Sequence, residues 1–148
     1  MTSRIAISLV VLLVQTSFAS AETAGKVWTR LRTYCASGAS IPRGALLPAS
    51  IEFVGDQVKH QIVNAQGTMT MLMGRYTKIG SQLLLLYMNC EGTDCTTYVP
   101  SNKIPAEIFE YSIIPSRTNE ASNLELKRVV SQSDDLCPIN DTVVHVFN

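Results

Sequence analysis

The chain predicts an all-β fold, an eight-stranded antiparallel barrel of the up-and-down kind. Three observations point there. Apolar residues recur at every second position in short segments, the period of a strand and not of a helix. Gly, Pro, Asn and Asp punctuate these segments at short intervals. No stretch after residue 21 carries a sustained helical period.

Residues 27–34 are rich in aromatic, β-branched and alternating residues and form the first expected strand. Residues 36–48 then read as a loop, punctuated by Gly38, Pro42, Gly44 and Pro48. Residues 50–54 are a short strand with Ile51 and Phe53 on one face. Gly55-Asp56 is a two-residue hairpin turn, where glycine accepts the positive φ. Residues 57–63 return with Val58, His60 and Ile62 on one face, and 64–67 turn again. Residues 68–76 alternate, so Met69, Met71 and Met73 share one side. Lys78-Ile79-Gly80-Ser81 leads into residues 82–88, apolar on both faces at Leu83 to Leu86. Residues 107–114 set Phe109, Tyr111 and Ile113 against Glu110 and Ser112. Residues 123–130 and 142–147 complete the set.

Consecutive hairpins favour antiparallel neighbours. Eight such strands close into a barrel or stack as a sandwich, and the barrel is the favoured reading because closure leaves no exposed edge. Its interior is then filled by side chains or holds one small ligand. Gly25-Lys26-Val27-Trp28 opens the first strand. Gly74-Arg75-Tyr76, followed by Gly80-Ser81-Gln82-Leu83-Leu84-Leu85, resembles the G-x-Y…G-x-x-L-x-L rhythm of bacterial lipocalin-like domains. One extra residue separates Gly25 from Trp28 relative to the G-x-W of lipocalins. The resemblance implies a calycin-type barrel with an apolar cavity and names no ligand.

Residues 1–21 read as a secretory signal peptide. Arg4 is a basic n-region, residues 5–14 an apolar core broken by Ser8, and Ala19-Ser20-Ala21 a small-x-small cleavage site. The apolar run is shorter than the roughly 20 residues of a spanning helix. The expected organisation is residues 1–21 as signal and 22–148 as one domain, with no stable membrane span after cleavage and a periplasmic or secreted location. In an oxidising compartment, four cysteines imply two disulfides. Cys90–Cys95 closing a small loop and Cys35–Cys137 joining the first strand to the segment before the last are the expected pairs. In a closed up-and-down barrel the first and last strands are neighbours. Cys35–Cys90 with Cys95–Cys137 is the open alternative.

The whole chain carries 12 basic and 12 acidic residues, without basic clusters, which argues against nucleic acid as a partner. The cysteines lack the C-x-x-C or histidine spacing of a zinc site, so no metal and no cofactor is expected. Nucleophilic catalysis needs a positioned base, and His60 and His145 each sit mid-strand. No G-x-S-x-G, H-E-x-x-H, G-x-G-x-x-G or P-loop is present. The acids Glu91, Asp94, Asp134, Asp135 and Asp141 read as solvated loop residues, and no catalytic residue is expected.

The expected function is therefore binding and not catalysis: an exported barrel holding a small apolar ligand. Met69, Met71 and Met73 are the candidate binding residues, since methionine adapts to irregular apolar partners. Phe53 joins them, with either Leu83 and Leu85 or Leu84 and Leu86. The alternative is a filled barrel acting through its loops on a protein partner, for example as an inhibitor. An internal void of roughly 300 Å³ or more separates the two.

Overall fold

The computed structural model describes residues 25–91, 97–115, 122–132 and 135–148. The signal-peptide reading and the Cys90–Cys95 pairing fall outside what is described, as does Asp134. The strands are β1 (Val27–Cys35), β2 (Leu47–Val54), β3 (Gln57–Val63), β4 (Met69–Ile79), β5 (Gln82–Glu91), β6 (Thr97–Pro100), β7 (Glu107–Ile114), β8 (Asn123–Val129) and β9 (Thr142–Phe147). All pairings are antiparallel. The order β4-β3-β2-β1-β9-β8-β7-β5, with β4 also bonded to β5, closes an eight-stranded barrel. These eight are the strands expected from alternation. β6 is additional: it pairs with the far end of β5, where β7 no longer follows.

Side-chain parity divides each strand between wall and interior. Trp28, Ile51, Phe53, Val58, Leu83, Leu85, Phe109, Leu124, Leu126 and Phe147 form one buried cluster. These residues fill the half of the barrel that carries the tight turns at Gly55 and Gly80. At about 25 cal/mol per Å² of apolar surface removed from water, each large side chain here contributes roughly 1.5–3 kcal/mol. On β4, Gly74 is the inward residue that lets β5 approach. A Cβ at that position would lie 2.6 Å from the Leu86 carbonyl oxygen and 3.2 Å from Val58 Cγ1.

The first strand resolves a conflict in its own sequence. Strict alternation would put Trp28, Arg30 and Arg32 on one face. A β-bulge between Arg30 and Arg32 shifts the register against β9. Trp28 stays in the core, Arg32 turns outward, and Thr33 and Cys35 return to the inner face. The bulge thus allows two arginines to follow a buried tryptophan without both entering the barrel.

Cys35 and Cys137 are bonded, with Cα atoms 5.6 Å apart and a sequence separation of 102. They pack with Val130 and Val143 in a second buried cluster under Ile41 and Leu136. Beside them Asp141 accepts hydrogen bonds from the Ser37 amide and hydroxyl, tying the β1–β2 loop to the β8–β9 loop. A disulfide at this point fits an oxidising compartment.

Candidate functional site

The other half of the barrel is not filled. A cavity of about 480 Å³ lies between Pro42, Ala45 and Leu46 of the β1–β2 loop, Ile104 and Pro105 before β7, and Leu136 of the β8–β9 loop. Ile62, Leu72 and Phe109 supply apolar wall. His60, Tyr87, Glu107, Arg128, Asp135 and His145 supply the rest. Each strand residue among them continues an inward-facing apolar row toward this end: Tyr87 follows Leu83 and Leu85, Arg128 follows Leu124 and Leu126, and Glu107 precedes Phe109.

These polar groups form a connected chain. His60 Nδ1 lies 2.9 Å from the Tyr87 hydroxyl, which donates to Glu107 Oε2 at 2.6 Å. Glu107 Oε1 is 3.7 Å from Arg128 Nε. Arg128 donates through both terminal nitrogens to Asp135, at 2.6 and 2.9 Å, the bidentate geometry that suits guanidinium and carboxylate. Asp135 also accepts the Leu136 amide at 2.7 Å. On the adjacent wall, His145 Nδ1 is 3.0 Å from Thr33 Oγ1. His60 Nε2 and Arg128 Nε are buried and have no hydrogen-bond partner among the described residues.

The environment sets the charge of each group. Burial pulls His60 down to about 4. Burial, then the charges of His60 and Arg128, pull His145 to about 3. Both imidazoles are therefore neutral at pH 7. Burial, then the charge and hydrogen bond of Glu107, push the Tyr87 phenol far above its ordinary range, so it keeps its proton. Burial works against the Arg128 cation, but its hydrogen bonds and attraction to Asp135 outweigh this and raise its pKa. The Arg128 hydrogen bond holds the Asp135 carboxyl below its usual value, against burial.

The expected ligand face is corrected here. Met69 and Met71 are 56% and 48% exposed on the outside of the barrel, and Met73 shares their parity. The inward set of β4 is Leu72, Gly74 and Tyr76. Thr68 and Thr70, on the parity opposite to the methionines, lie at the end of the strand where both faces are exposed. Phe53 does face inward, with Leu83 and Leu85, but it is part of the filled half and does not line the cavity. Asp135 is likewise not a solvated loop acid, being engaged by Arg128. Cys35, Cys137 and Asp141 group their ligand-type atoms closely, but the two sulfurs are committed to each other. Among the described residues no helix is long and apolar enough to cross a membrane.

Fold and site together define a closed β-barrel, half packed and half hollow, with a buried hydrogen-bonded polar chain in the hollow half. The chain matches no family model, no curated protein and no solved structure.

Proposed function

We propose that this barrel is an exported binding protein for a small, mainly apolar molecule with a polar end. The observation that carries the reading is the cavity of about 480 Å³. It falls within the range of ligand pockets, which combine apolar walls with a few convergent polar groups. Ile62, Leu72 and Phe109 would hold the apolar body, and the chain from His60 to Arg128 would fix the polar end. The bonded Cys35–Cys137 pair supports the exported location.

Titration with the uncharged fluorophore N-phenyl-1-naphthylamine tests this. The full chain should enhance its emission saturably. Leu72→Ala should weaken binding about tenfold through lost apolar contact. Met71→Ala, on the outer surface, should leave binding within about twofold. Equal effects of the two substitutions would remove the cavity from the argument. A protein partner is the second reading, favoured by the outward-facing Met69, Met71, Leu86 and Ile108, which are 36–56% exposed. Native mass spectra of the same preparation separate the two, by a small-molecule adduct or by a protein complex without one.

A further inference from the structure

Resting on that binding reading, the hydrogen bonds inside the cavity decide what kind of polar end the ligand carries. The Tyr87 hydroxyl has one proton, and it is donated to Glu107. A carboxylate oxygen can only accept it. The phenolic oxygen is then an acceptor toward His60, so the hydrogen in the 2.9 Å contact belongs to His60 Nδ1. A neutral imidazole carries one N–H. His60 Nε2 is consequently a bare acceptor, buried and without a partner among the described residues. A buried acceptor left unpaired costs roughly 1–3 kcal/mol, so a group that satisfies it gains correspondingly.

The charges beside it point the same way. Among the described residues Arg128 is the one cation lining the cavity, and Asp135 already holds its two terminal nitrogens. Glu107 stands on its other side. An incoming carboxylate would meet two carboxylates and a bare imidazole nitrogen, and the unpartnered Arg128 Nε–H it could seek already has the Glu107 carboxylate 3.7 Å away. Arg30 acts on His145 but does not line this cavity. We infer that the ligand presents a hydrogen-bond donor, a hydroxyl or an ammonium group, to His60 Nε2, and that the cavity rejects an ionised acid of the same length.

Displacement of bound N-phenyl-1-naphthylamine by octanol, octylammonium and octanoate at pH 7.5 tests the assignment. Octanol or octylammonium should displace the probe at concentrations at least about tenfold below those octanoate needs. Preference for the ammonium adds the carboxylates' charge to recognition, and preference for the alcohol leaves the hydrogen bond alone. Both outcomes support the donor. His60→Phe and the near-isosteric Tyr87→Phe should each narrow the advantage of octanol over octanoate by at least about threefold, with repulsion by the two carboxylates left as the remainder. Octanoate competing as well as the others, failure of all three to displace a bound probe, or selectivity unchanged in both variants would overturn the assignment. Nitrogen-15 NMR reads the tautomer without any ligand, and a proton on His60 Nε2 would also overturn it. If the probe does not enter the wild-type protein while NMR shows the Nδ1–H form, the binding reading fails and the tautomer argument stands.

Discussion

Lowering the pH from 7 to 5 should remove about 3–4 kcal/mol from the stability of the folded barrel. Two imidazoles are responsible. In the fold, burial sets His60 near 4, and burial with neighbouring positive charge sets His145 near 3. In the unfolded chain both return to about 6.5. Between these values the unfolded chain binds protons that the folded chain refuses. Stability is therefore full above about pH 6.5 and falls as the pH drops toward 4. Each histidine contributes a slope approaching roughly 1.4 kcal/mol per pH unit, so two together approach about 2.7. Asp135, whose pKa is depressed by Arg128, contributes stability that is lost only at lower pH, below the ordinary carboxylate range. The assay is urea unfolding followed by the emission of Trp28, the single tryptophan and a 1% exposed core residue. With a denaturant slope of about 1–3 kcal/mol per M, the midpoint should fall by more than about 1 M. His60→Gln and His145→Gln should each take away about half of the pH effect. A loss under about 1 kcal/mol between pH 7 and 5, or an unchanged effect in both variants, would show that the imidazoles are not held neutral by burial.

Two further outcomes follow from the packing. Replacing Cys35 and Cys137 together by Ala should cost about 4–5 kcal/mol, because the bond closes a loop of 102 residues in the unfolded chain; the urea slope should rise as that chain expands, and a midpoint within error of wild type would refute this. Gly74→Ala should destabilise by about 1–3 kcal/mol, since its Cβ would meet the Leu86 carbonyl at 2.6 Å and backbone cannot yield as a side chain can; a melting temperature within about 1 °C of wild type would show that the strands have slack there.

The strands were legible because their alternation is local. Turn chemistry at Gly55 and Gly80 fixed the hairpins, and closure brought Cys35 to Cys137. β6 was hidden because its four residues pair through backbone groups and carry no repeating pattern of their own. The orientation of β4 was misjudged for a different reason. Met69, Met71 and Met73 and the opposing Leu72 and Tyr76 are both apolar sets, and Thr68 and Thr70 lie at a strand end where both faces are exposed, so they carry no information on which set faces in. Gly74 held the better signal, because a small residue between Leu72 and Tyr76 marks close backbone approach inside a barrel. The polar chain is spread from His60 to Asp135, so no spacing motif announces it. Parity could still have found it. Arg128 continues the row of Leu124 and Leu126, and Glu107 begins the row of Phe109. A charge on a core-facing row asks for a partner on another strand.

The seam between β1 and β9 has a consequence for the order of folding. β2 to β5 are joined by successive local hairpins, which can pair soon after they are made. β1 must wait on one side, because its second neighbour, β9, follows it by more than 100 residues in sequence. A polypeptide delivered amino-terminus first therefore remains an open, curled sheet with Trp28 near an unpaired edge until β9 has been made. The Cys35–Cys137 bond lies on this same seam, and its partner sulfur also arrives late. Oxidation of this pair can then act as a latch on a ring that has just closed.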